Sequence, residues 1–95
     1  MEKTRILVVD DEKHIAELIS LYLMKEGYET REVYDGRKVM DEFYSFKPEL
    51  VMLDIMLPGM DGYQVCTTIR KNSDVPIIML TARSDTFDKV LGLEM

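Results

Sequence analysis

Two carboxylates, Asp10 and Asp11, follow directly on the apolar run Ile6, Leu7, Val8 and Val9, and a third, Asp54, follows directly on Val51, Met52 and Leu53. A hydroxyl, Thr81, closes the apolar run "PIIML" in the same way. Acids are common caps at helix starts, and any one of Asp10, Asp11 and Glu12 taken alone is explained by that role. Capping does not require an acid at the end of a second buried strand. Carboxylates gathered in a small space raise one another's proton affinity and cost stability unless a cation offsets them. The donors are hard oxygens without Cys or His, which suits Mg2+: it takes one or two carboxylates, keeps waters and commonly bridges to a phosphate. Mn2+ is the expected substitute.

These residues share one rim only if the segments before them lie side by side. "RILVV" (5–9) is a short continuous apolar run rich in β-branched residues, the pattern of a parallel strand covered on both faces. From Glu12 to about Glu26, Ile15, Leu18, Ile19, Tyr22 and Leu23 recur at three and four spacing, and Gly27 supplies a stop. "YETREV" (28–33) alternates as an edge strand does, and Asp35 can cap a helix bearing Val39, Met40, Phe43 and Phe46 that ends at "KP". "ELVMLD" (49–54) is the third strand, and Asp61 can cap a third helix with Val65 and Ile69 inward. "VPIIML" (75–80) is the fourth strand, and a fourth helix is expected after Ser84 with Phe87, Val90 and Leu91 on one face. Strands alternating with helices imply right-handed crossovers and a parallel sheet covered on both faces. In such sheets ligands bind beyond the carboxyl ends of the strands, where adjacent crossovers leave on opposite faces.

The composition narrows the possibilities further. At 95 residues, 46% of them hydrophobic, the chain can bury one core and hold one domain, residues 1–95. Its 18 acids against 12 bases, a net charge of -6, oppose binding to nucleic acid or an anionic membrane and favour cations or basic partner patches. The single cysteine, Cys66, can form no internal disulfide, and there is no apolar stretch of about 18 residues and no signal-peptide core, so the cytoplasm is the default. The 8 methionines fall mostly on strands or apolar helix faces and are expected to fill core gaps. His14, among polar neighbours, reads as a solvated imidazole, and Cys66 as an inert helix residue.

"ILVVDDE", "LVMLDIMLPGMDGYQV" and "PIIMLTAR", in this order and spacing, resemble the receiver domain of bacterial two-component response regulators, and "LDIMLPGMDG" is similar to regulators with a winged-helix DNA-binding output. The resemblance covers the whole chain. It implies a flavodoxin-like doubly wound sheet of strand order 2-1-3-4-5. Asp54 then matches the phosphoacceptor, attacking a phosphohistidine on a sensor histidine kinase to form an aspartyl phosphate. Asp11 and Asp54 would bind Mg2+ directly, the Met56 carbonyl would be a third protein ligand, and Asp10 would act through a coordinated water. Thr81 would donate its hydroxyl, and Ala82 its backbone amide, to the phosphoryl group. Pro58 and Gly59 hold the following loop in a turn, and Gly62 allows a close helix start.

One departure from the family concerns the end of the chain. The family's fifth strand, with a phosphoryl-pairing Lys and a preceding aromatic, and its fifth helix have no counterpart before Met95, so the fold is expected to be incomplete. The fourth strand would then be a bare apolar edge and part of helix one would be uncovered, which predicts a homo-oligomer. Two other functional classes compete. A magnesium-dependent phosphatase or phosphotransferase of the haloacid-dehalogenase kind needs Asp-x-Asp after the first strand, where this chain has "DDE". A nucleotide-binding module needs a Gly-rich phosphate loop, and none occurs. A truncated oligomerising fragment that does not switch is the remaining alternative.

Overall fold

A computed structural model describes residues 2–57 and 60–80, together with the backbone of 93–94. Four parallel strands and three helices alternate through it: β1 (Arg5–Val9), α1 (Lys13–Lys25), β2 (Glu29–Val33), α2 (Val39–Phe46), β3 (Leu50–Asp54), α3 (Gly62–Arg70) and β4 (Ile77–Leu80). A two-residue strand, β5 (Leu93–Glu94), follows, and the sheet order is β2-β1-β3-β4-β5. The expected fourth helix lies outside the described residues.

The continuous apolar runs of β1 and β3 are buried because helices cover both faces of the sheet. Leu7 and Val9 point with Val51, Leu53, Ile77 and Met79 toward α2 and α3, where Val39, Phe43, Val65, Cys66 and Ile69 complete the larger core. Ile6 and Val8 point the other way, toward Ala16 of α1, with Ile19, Leu23 and Met52 packed alongside. This alternation on each strand is the pleat at work. The methionines divide: Met79 is buried and Met40, Met52 and Met60 pack on the cores, whereas Met24 and Met56 are exposed.

Local chemistry sets the ends of the helices. Gly27 ends α1 at φ 95°, with its N–H donating to Met24 O at 3.0 Å. The Asp61 carboxylate accepts from Gln64 N while Gln64 Oε1 accepts from Asp61 N, a complete capping box at the start of α3. Asp35 caps a 3-10 turn, Gly36–Lys38, that runs into α2, so the expected helix begins as a tighter turn. Lys47 ends α2 in the left-handed region at φ 54°, with its N–H donating to Phe43 O at 2.9 Å.

Part of the apolar face of α1 is uncovered, as expected, whereas the expectation for the β4 edge needs correction. The apolar stripe of α1 is wider than its sheet contact: Ala16 and Ser20 are buried, while Ile15, Leu18 and Tyr22 are exposed, Tyr22 at 63%. Positions at three and four spacing span more of the helix than one contact can cover, so only Ile19 and Leu23 of the expected face reach the core. The edge of β4 is not wholly bare, since Ile78 and Met79 pair with Glu94 and Leu93. That pairing is antiparallel and two residues long, so it does not take the place of a parallel fifth strand.

Candidate functional site

Parallel pairing and strand order place the acids. β1 pairs in parallel with β3, Val9 opposite Leu53, so the next residue on each strand, Asp10 and Asp54, stands at the same end of the sheet. The chain leaves β1 for α1 on one face and β3 for α3 on the other, which makes this rim the switch point where parallel sheets hold ligands. Asp10, Asp11 and Asp54 each bring a carboxylate oxygen into a group lying within 4.8 Å of one another. Asp10 and Asp54 are 3% and 1% exposed and Asp11 is open to solvent.

The hydrogen bonds of the two buried acids are unequal. Glu12 N donates to Asp10 Oδ1 at 2.9 Å, and Met56 N donates to Asp54 Oδ1 at 3.1 Å. Asp54 Oδ2 is buried and receives no donor among the described residues. Burial pushes the Asp54 carboxyl up to about 6, the charges of Asp10 and Asp11 add to the rise, and the Met56 N–H opposes it. Asp10 is raised as well, chiefly by burial, against the lowering effect of the Glu12 N–H. An orphaned buried carboxylate oxygen beside two further carboxylates fits a divalent cation with oxygen preference, because such an ion supplies the missing partner and offsets the shared charge.

The capping explanation fails on geometry. Glu12 is the N-cap residue of α1 but makes no side-chain cap bond, and the first turn holds no acid. Asp10 instead accepts the N–H of its own loop. Of the expected site residues the fold therefore unites Asp10, Asp11 and Asp54 and ties Met56 to them through its amide, while Pro58, Gly59, Thr81 and Ala82 lie outside the described residues. The described part of β4 ends at Leu80, the register partner of Asp54. His14 is exposed, and burial pushes the Cys66 thiol up, which agrees with their ordinary reading.

Of two close approaches of backbone, the sequence pointed to the one at Gly62 and missed the one at Gly36. A Cβ on Gly62 would stand 2.5 Å from Asp54 O and 2.6 Å from Ile55 Cα, so the expected close helix start is in fact an intimate contact with the acceptor strand. A Cβ on Gly36 would overlap the Met60 carbonyl oxygen. Isolated glycines carry no periodic signal, and only the "DG" pairs, Asp35-Gly36 and Asp61-Gly62, hinted at turns there.

A parallel doubly wound sheet with clustered aspartates at its switch point defines an acidic, oxygen-donor site rather than a phosphate cradle. The model of the response regulator receiver domain matches residues 6–95, and the chain belongs to that family. The BeF3-activated N-terminal receiver domain of Klebsiella pneumoniae RstA is 33% identical, with a TM-score of 0.82 over 90% of this chain and 73% of its own. The N-terminal domain of a response regulator receiver protein from Methanoculleus marisnigri JR1 is also 33% identical, with a TM-score of 0.78 over 90% of this chain and 72% of its own. A putative response regulator from Chloroflexus aurantiacus J-10-fl is 34% identical, with a TM-score of 0.80 over 94% of this chain and 75% of its own. The protein is thus a flavodoxin-like receiver domain of two-component signalling with a phosphoacceptor role, and the phosphatase and nucleotide-binding alternatives give way to it. Receiver domains bind Mg2+ through acidic residues, partner histidine kinases and are phosphoacceptors rather than enzymes in the usual sense. Among the described residues no helix is long and apolar enough to cross a membrane.

Proposed function

We propose that Asp54 is the residue phosphorylated in this chain, by a sensor histidine kinase and with Mg2+. The observation that supports this most is the buried Asp54 Oδ2, which has no donor among the described residues and stands beside Asp10 and Asp11. Asp54 forms the new O–P bond as the N–P bond of a phosphohistidine breaks, and the departing imidazole nitrogen keeps the electron pair. Asp11 and Asp54 would hold the cation together with the Met56 carbonyl, and Asp10 would act through a water. The bound ion offsets negative charge on the acceptor and on the incoming phosphoryl oxygens. The Met56 N–H holds Asp54 Oδ1, while Oδ2 receives no donor among the described residues. Thr81 and Ala82 serve the phosphoryl oxygens through a hydroxyl and an amide.

In this reading the 95 residues form one receiver domain, acting in the cytoplasm, and the protein they belong to controls a DNA-binding output without this chain touching nucleic acid. Homo-oligomerisation is the second part of the proposal, supported by the exposed flank of Ile15, Leu18 and Tyr22 on α1. Beryllofluoride, the ligand of the activated Klebsiella receiver, supplies the test. With Mg2+ it should bind and give a 19F resonance that Asp54→Asn abolishes; the same resonance in the Asp54→Asn variant would refute the assignment.

A further inference from the structure

Gly36 is buried in the 3-10 turn after β2, and its backbone lies against that of Met60, in the loop that follows Asp54. Besides meeting the Met60 carbonyl oxygen, a Cβ here would come within 3.0 Å of Met60 Cβ and 3.1 Å of its carbonyl carbon. Among the described glycines only Gly27 has positive φ, so position 36 demands glycine for space and not for backbone conformation. The atoms it meets are mainly backbone and do not yield as a side-chain tip does.

The described residues at both ends of the loop are held in place. On its far side Met60 runs straight into Asp61, fixed by the capping box of α3. At its near end Ile55 N donates to Leu80 O at 2.9 Å, and Gly62 N donates to Ile55 O at 2.8 Å. Met56, whose amide holds Asp54, lies between these fixed points. The turn that carries Gly36 is itself held, because Asp35 Oδ1 accepts from Arg37 N at 2.8 Å and Asp35 Oδ2 from the Arg37 guanidinium at 2.7 Å.

We infer that Gly36 is a positioning residue for the Asp54 site, setting the Met56 amide and carbonyl through the backbone of Met60. The inference rests on the proposed role of Asp54 and Met56, and it gives the turn after β2 a part in the acceptor geometry. The test uses the 95-residue chain, labelled with 15N, and reads two quantities: the Met56 amide resonance without metal, and the Kd for MgCl2. Gly36→Ala should move the Met56 amide and weaken Mg2+ several-fold. Phe46→Leu, at the other end of α2 where Phe46 O accepts from Arg5 Nε, should lower thermal stability yet leave both quantities as in the wild type. If Gly36→Ala does not fold, Asp35→Ala decides, since it releases the same turn without adding an atom and should move both quantities the same way. An unmoved Met56 amide with wild-type affinity in the folded variant overturns the inference. A wild-type chain that binds no Mg2+ would fail the proposed function instead, and the metal-free Met56 amide would still report on Gly36.

Discussion

Asp10 and Asp54 stand on neighbouring strand ends, both buried, each with one carboxylate oxygen held by the amide two residues further on. Two like-charged groups so placed are an electrostatic cost in the isolated chain, and that cost is what a cation relieves.

Magnesium should therefore stabilise the fold by linkage. At ten times Kd, binding to the native state alone adds about 1.4 kcal/mol, which for a domain of this size is a rise in Tm of roughly 6–11 °C. Asp11→Asn or Asp54→Asn should remove most of the rise. Differential scanning fluorimetry with and without MgCl2 checks it, and an unchanged Tm in the wild type would contradict the cation site.

The pH dependence has an unusual sign. Because the folded Asp54 carboxyl is raised to about 6, the native state keeps a proton between about pH 4 and 6 that the unfolded state has released. The contribution of this group to stability is present at the acid end and is lost as pH rises through 6, on the order of 3 kcal/mol in all. Asp35, lowered to about 2 by its Arg37 partner, works the other way, but its loss falls below pH 4 and so outside this window. Asp10, raised as well by burial, adds to the slope with the same sign; urea titrations without metal from pH 4 to 7 should show it, and Asp54→Asn should reduce it. Mg2+ affinity should fall as pH drops below 6.

The parallel strands were legible in the sequence because interior strands of such a sheet are apolar on both faces, as in "RILVV" and "LVML". Strand ends at Asp10 and Asp54 were legible for the same reason, and with them the acidic rim. The faces of α1 were less so, since Ile15, Leu18 and Tyr22 share the spacing of Ile19 and Leu23 yet look past the sheet to solvent. Gly36 was missed because a close approach of two backbones depends on tertiary packing and leaves no trace in local pattern.

Gly62→Ala should be costly without touching a side chain. Its Cβ would press on Asp54 O and Ile55 Cα, which must shift, and overpacking of this kind costs about 1–3 kcal/mol. Urea denaturation at pH 7 measures the loss, and a wild-type midpoint would show that the α3 start moves freely.

Self-association should depend on the exposed flank of α1. Leu18→Ser with Tyr22→Ser removes apolar surface from solvent-facing positions, where a substitution usually changes stability by no more than about 0.5 kcal/mol. Light scattering across a dilution series should show larger species for the wild type than for the double variant at equal concentration. A wild-type chain that stays monomeric would refute the oligomer.

The role of Asp54 itself is open to one direct chemical measurement. Acetyl phosphate and Mg2+ should phosphorylate the chain, and borohydride reduction of the acyl phosphate should convert Asp54 alone to homoserine, located by tandem mass spectrometry. Conversion at another acid with Asp54 untouched would contradict the account.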